Sequence, residues 1–240
     1  MYMTALHSAV KNTKLTPILI YDGTDKDFVS SVKALGGRVH NHIFSGATSD
    51  AFQAHTNEWK GIAEGTFLRL DIPQVCEAMG IYDKYVLYTD ADVLFLDDPT
   101  HELEGLSPQF FAACPESDKE NWSYVNVGIL LLNMETMTES YDDFMHHVNS
   151  TYQDIGFDQV ALNTFYRGRI DRLPLSMNHK PYWGTGDPAF IVHFHGPKPA
   201  DIEHFLKTGN YIEEYRPLFS LVDRDVWADY IRLWNGFRQG

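Results

Sequence analysis

Short apolar runs alternate along this chain with stretches in which apolar residues return every three or four positions. The runs predict buried strands and the periodic stretches predict helices packed on them. Residues 3–10 predict a short helix with Leu6 and Val10 on one face. Pro17 opens the run Ile18-Leu19-Ile20-Tyr21, a buried strand turned by Asp22-Gly23. A helix over about 25–35 ends at Gly36-Gly37, and 38–44 forms the next strand. Helical segments fill much of 58–79, and Tyr85-Val86-Leu87-Tyr88 is a strand ending in Thr89-Asp90-Ala91-Asp92. Further strands are expected over 109–113, 127–132 and 190–194, with helices over about 137–152 and 158–166 and at the end of the chain. No repeat, low-complexity tract or linker divides the 240 residues. The pattern predicts an α/β fold, a mainly parallel central sheet with flanking helices.

Charge narrows the function. The formal net charge is −14, and no basic stripe is present to neutralise a phosphate backbone, so nucleic acid is not a partner. No apolar run approaches the ~18 to 20 residues that cross a bilayer. Met1-Tyr2-Met3-Thr4 lacks the basic stretch and apolar core of a secretory signal, so a cytoplasmic protein is expected. Cys76 and Cys114 belong to no metal-ligand pattern and are expected to be reduced and buried. An acidic chain can still bind a small anion through a metal ion.

Asp-x-Asp occurs three times. Asp25/Asp27 and Asp223/Asp225 stand where helices begin, positions at which Asp accepts free amide hydrogens and suits the helix dipole. Asp90/Asp92 lies between two apolar runs, where acids are costly unless paired, hydrogen-bonded or bound to a cation. It also terminates a strand, and open α/β sheets bind ligands at the carboxyl ends of strands. A strand-end Asp-x-Asp opens the motif of haloacid-dehalogenase-like phosphatases too, but there on the first strand.

Several segments together resemble glycosyltransferase family 8, the retaining enzymes that include glycogenin and bacterial galactosyltransferases. In the family's order these are Thr66 to Pro73, Val86 to Val93, Asn126-Val127-Gly128 with the apolar run after it, Asp158-Gln159-Val160-Ala161-Leu162-Asn163, Leu173-Pro174 with Asn178, and His193-Phe194-His195-Gly196-Pro197-Lys198-Pro199. The likeness spans roughly residues 2 to 200. The closing motif is one residue short between Gly196 and Lys198, and Ala200 stands where the family has Trp. Val160 and Val127 also depart, which marks a divergent branch.

The resemblance implies a single Rossmann-like GT-A domain over 1–240. Residues 1–125 would form its nucleotide-binding part, 126–200 its sugar and acceptor part, and 201–240 its C-terminal helices. It implies a metal held by Asp90, Asp92 and His193, Mn²⁺ or Mg²⁺, with imidazole favouring Mn²⁺. It places Arg69, Asp90, Asn126, Gly196 and Lys198 at the donor, and Asp158 and Gln159 in the catalytic role. The implied reaction moves a hexose from a UDP-sugar to an acceptor (saccharide, lipid or protein), with retention. A non-catalytic nucleotide-sugar or carbohydrate-binding protein and a metal-dependent phosphatase are the alternatives. In the family an initial strand precedes the helix that residues 1–12 match. The sequence is therefore expected to lack a natural N-terminal segment, or to have another segment or chain in that central place, with the uracil pocket incomplete. Trp227, Tyr230 and Trp234 follow helical spacing and read as a packing stripe.

Overall fold

Helix α1 (Tyr2–Asn12) buries Leu6 together with Ala5, Ser8 and Ala9, three small residues that let it approach a strand closely. β1 (Ile18–Tyr21) and β2 (Arg38–Asn41) pair in parallel around α2 (Lys26–Ala34), a short crossover. Asp25 Oδ1 accepts the N–H groups of Asp27 and Phe28 at 2.9 and 3.0 Å, so the first Asp-x-Asp is a helix cap, as its position predicts. The computed structural model describes residues 1–46, 65–155 and 158–238, with the side chains of 151–155 left aside. The expected helical residues 58–64 lie outside these.

A 3₁₀ turn (Leu68–Asp71) leads into α3 (Ile72–Met79). β3 (Tyr85–Thr89) and β4 (Val93–Phe95) then flank the second Asp-x-Asp. After α4 (Thr100–Leu103) come β5 (Phe111–Pro115) and β6 (Val125–Asn133). One predicted helix is two, α5 (Met134–Glu139) and α6 (Tyr141–Ile155), parted at Ser140. α7 (Asp158–Phe165) precedes β7 (Ile170–Arg172), and β8 (Ile191–His193) precedes α8 (Pro199–Thr208), α9 (Arg216–Phe219) and α10 (Arg224–Arg238). Short β4 and β7 were not foreseen as strands.

The four-stranded sheet has the order β3-β6-β5-β7, and β4-β8 and β1-β2 are separate ladders among the described residues. This is the expected central sheet with flanking helices, but its strands are not mainly parallel. β1–β2 and β5–β7 are parallel, whereas β3–β6, β5–β6 and β4–β8 are antiparallel. An apolar run reports that a strand is buried, not its direction. The short connection 116–124 returns β6 antiparallel to β5, where a parallel partner would need a longer crossover.

Every residue of β6 is buried. α1 holds β4, since Phe95 N–H donates to Ser8 Oγ (3.0 Å) and Asn12 Nδ2 donates to Phe95 O (2.7 Å). At the other end of the chain Trp227, Tyr230 and Trp234 are all buried, with Trp234 edge-on to Phe194 of the segment after β8. That aromatic stripe is a packing stripe, and it fixes the strand that carries His193. Both cysteines are free and buried. Among the described residues no helix is long and apolar enough to cross a membrane.

Candidate metal and donor site

Asp90 and Asp92 sit in the link between two strands of different ladders. Asp90 N–H donates to Gly128 O on β6 at 2.7 Å. On the other side, β4 and β8 set Val93 opposite His193, and Phe194 N–H donates to Asp92 O at 2.9 Å. The link is thus pinned at both ends, and His193 is brought to both acids. His193 Nε2 lies 3.3 Å from Asp92 Oδ1 and 3.8 Å from Asp90 Oδ2. One donor atom from each of the three lies within 4.8 Å of the others, the one such group of metal-ligand type among the described residues. Neither of the other Asp-x-Asp pairs joins it.

The hydrogen bonds around this group decide how His193 faces it. Gly128 N–H donates to Asn126 Oδ1 (3.1 Å), which makes that atom the acceptor. Asn178 Nδ2 must then donate to the same oxygen (3.0 Å), leaving Asn178 Oδ1 against His193 Nδ1 (3.0 Å). Nδ1 therefore carries a hydrogen, and in the neutral imidazole Nε2 turns its lone pair toward two carboxylates. Three facing acceptors repel unless a cation lies among them or the ring is protonated. Asp92 Oδ1 is buried with no hydrogen-bond partner, an unpaired acceptor that a bound cation would satisfy. Gly128 keeps the space open: a Cβ there would meet His193 Cε1 at 2.3 Å and Asp90 Oδ2 at 2.9 Å. Two carboxylates and an imidazole lone pair are a donor set that fits a divalent ion.

Arg69 supplies the fixed positive charge. Its Nη2 lies 2.9 Å from Asp90 Oδ1 and its Nε 2.8 Å from Asp158 Oδ2. Nη1 donates to Val127 O at 2.8 Å, and the guanidinium lies over the Tyr88 ring. The sequence left open whether Arg69 balances Asp71 or Asp158. It takes Asp158 and Asp90, while Asp71 accepts from Ser45, Tyr141 and His42 instead. Burial would lower the pKa of Arg69, but Asp158 and then Asp90 raise it further, so its charge is permanent. Nε–H is aimed at Thr66 O (3.1 Å), which leaves Asp158 Oδ2 in charge contact without an aligned hydrogen bond. Burial consequently pushes the Asp158 carboxyl up, against Arg69. Tyr88 OH donates to Asp90 Oδ1 at 2.6 Å.

Lys198 Nζ reaches Asp92 Oδ2 at 2.5 Å and Phe194 O at 3.2 Å. Burial alone would raise Asp92, but with no ion bound a protonated His193 and then Lys198 hold its carboxyl well below the usual range. Gly196 has a folding reason of its own: its φ is +81°, and a Cβ would meet Leu218 Cδ1 at 2.6 Å.

A second set of side chains, in which no sequence motif marks Glu116, lies beside the first. Glu116 ends β5 as Asp90 ends β3, and that position at the end of an apolar run was its available signal. Glu116 Oε1 lies 3.0 Å from His195 Nε2, and Oε2 accepts from Asn126 Nδ2 at 3.0 Å. Tyr182 OH meets His195 Nδ1 at 2.7 Å. Gln159 Oε1 accepts from Val127 N–H (3.0 Å) and Asn126 Nδ2 (3.3 Å). The structure thus brings Asn126, Gln159, Asp158, Arg69, Asp90, Asp92, His193 and Lys198 into one connected network. Asn178 entered the resemblance without a role, and for Tyr182 the sequence carried no chemical signal.

No protein-family model matches the sequence, and no curated protein sequence matches it. Solved structures do. The glycosyltransferase GlyE of Streptococcus pneumoniae TIGR4 superposes with a TM-score of 0.64 at 17% identity, over 98% of this chain and 59% of that one. The chain therefore spans under two thirds of the length of that structure. The galactosyltransferase LgtC, in complex with donor and acceptor sugar analogues, gives a TM-score of 0.62 at 19% identity, over 90% of this chain and 96% of that one. Mouse xyloside xylosyltransferase 1 gives 0.55 at 14% identity, over 82% and 92%. At these identities the likeness defines the fold: this chain has the fold of the GT-A glycosyltransferases.

Proposed function

We propose that this protein is a metal-dependent glycosyltransferase that moves a hexose from a UDP-sugar to an acceptor, a saccharide, lipid or protein, with retention of anomeric configuration. The observation that carries this reading is the buried, partnerless Asp92 Oδ1 facing His193 Nε2 beside Asp90, within a GT-A fold. Asp90, Asp92 and His193 would hold Mn²⁺, which imidazole favours over Mg²⁺. When bound, the ion supplies Lewis-acid stabilisation of a diphosphate leaving group.

The chain's own residues do the rest. Arg69 holds Asp90 and Asp158 in place through its two charge contacts. Lys198, paired with Asp92 Oδ2 and partly exposed, is within reach of a diphosphate as a point charge. Asn126, Asp158 and Gln159 would face the sugar, where Asp158 or Gln159 stabilises positive charge developing at the anomeric carbon. The segments that resemble glycosyltransferase family 8 support retention, and the galactosyltransferase solved with sugar analogues supports a sugar donor. The phosphatase alternative is disfavoured, because the fold neighbours are glycosyltransferases.

The test is UDP release from a panel of UDP-sugars with and without Mn²⁺, together with UDP binding. Asp92→Asn and His193→Ala should each abolish Mn²⁺-dependent binding, and Asp25→Asn and Asp223→Asn should not. Equal binding by all four variants would refute the metal assignment. Release of UDP in the wild type separates transfer from mere binding, and an inverted product by proton NMR would refute retention.

A further inference from the structure

A cavity of about 260 Å³ opens beside β7 and is lined by Trp122, Ser123, Asn163, Arg167, Gly168 and Arg172 among others. Its charge runs against that of the chain, whose net charge is −14. Among the described residues the arginines paired with carboxylates are Arg69, Arg216, Arg232 and Arg238. Arg167 and Arg172 are not among them, and both are exposed. The one acid lining the cavity is Asp171, whose Oδ2 is engaged by Gln109 N–H at 2.7 Å. Two guanidinium groups with no carboxylate partner thus line one recess of an acidic protein.

The walls of that recess are ordered. The Arg172 guanidinium lies over the Trp122 ring, 4.6 Å from its centroid, which sets the plane of its donor fork. Asn163 is a fixed floor, because Oδ1 accepts from Val125 N–H (2.8 Å) and Nδ2 donates to Val125 O and Gln159 O (both 2.9 Å). Gly168, with φ +76° and nothing within 4 Å of a built Cβ, leaves one side open. The cavity is also tied to the first site. Val125 lines it while the next residue, Asn126, belongs to the network around Asp90. Arg167 follows the end of α7, whose first residues are Asp158 and Gln159.

We propose that this cavity binds an acidic sugar, its carboxylate or phosphate held in the forks of Arg167 and Arg172 and its ring lying beside Trp122. The oxyanion rests on the charge arrangement alone, and the sugar rests on the transferase reading given above. The site would hold an acidic residue of an acceptor glycan.

The test follows the indole NMR signal of Trp122, assigned with Trp122→Phe, during titration with glucuronate, glucose 6-phosphate, inorganic phosphate and glucose. Glucuronate, glucose 6-phosphate or both should bind saturably, the one that binds naming the acid, and glucose should not. Arg167→Gln with Arg172→Gln should weaken that binding by about tenfold or more, with an unchanged circular dichroism spectrum. Asp92→Asn should leave it unchanged, so this site can stand even where UDP-sugar transfer fails. No saturable binding of either acid, or binding that the double arginine variant leaves intact, would overturn the proposal. Inorganic phosphate binding as tightly as glucose 6-phosphate would overturn the assignment of a sugar.

Discussion

Gly128 and His193 share a space that only one of them can fill: a Cβ built on Gly128 stands 2.3 Å from His193 Cε1. His193 cannot retreat, because its Nδ1 is tied to Asn178 and its strand is packed under Trp234. Gly128→Ala should therefore displace the imidazole from Asp90 and Asp92 while the buried β6 strand persists. A Mn²⁺ titration by calorimetry should show affinity at least about tenfold weaker, as expected when a metal ligand is misoriented. Wild-type affinity in a folded variant would refute this account of the glycine.

Asn178 decides which nitrogen of His193 faces the acids. Asn178→Ala removes the acceptor of the Nδ1 hydrogen and frees the ring to change tautomer and to turn. Affinity for Mn²⁺ should fall by about 10- to 100-fold, the usual cost of losing such an outer partner. An unchanged titration would mean that packing alone orients the ring.

Arg69 serves two buried or half-buried carboxylates at once. Arg69→Met should destabilise the fold by about 3–5 kcal/mol, because Asp158 is left buried without its counter-charge. Urea denaturation measures the loss, and Asp158→Asn added to Arg69→Met should restore part of it. If the second change restores nothing, Asp158 is not the group that suffers.

Acid should weaken this protein through Glu116 and His195. Burial would raise Glu116, but His195 and then Asn126 overcome it and bring the carboxyl from 4.5 down to about 2. In the unfolded chain that group takes up its proton nearer 4.5, so the stability it confers is complete above that pH. It is lost as pH falls toward 2. His195 is held below its ordinary 6.5, by burial first, so it too favours the unfolded chain as pH drops below 6.5. The pair is a neutral imidazole on a carboxylate at neutral pH and an ion pair in acid. Thermal melts of the wild type should drop through both ranges, and Glu116→Gln should flatten the drop between 4.5 and about 2. An identical acid profile in Glu116→Gln would show that the contact carries no linkage.

The sequence by itself determined what depends on neighbours in the chain. Asp25 caps a helix because the amides it accepts are two and three residues ahead. Asp90 and Asp92 could be told from the other two pairs because the apolar runs around them leave a strand end with no local use for two acids. The spacing of Trp227, Tyr230 and Trp234 was enough to give their buried face. Tertiary structure decided what depends on register and direction. An apolar run is equally buried in either orientation, so the antiparallel β3–β6, β5–β6 and β4–β8 ladders were not legible in it. Those ladders carry Gly128 to Asp90, and His193 to Asp92, from far along the chain. The helix and turns packed on them bring Asp158 rather than Asp71 to Arg69, Glu116 to His195, and Asn178 to the one nitrogen that sets the ring. Each of those contacts joins residues with no local reason to meet, and their energy comes from burial and hydrogen bonds that exist only once the strands are in place.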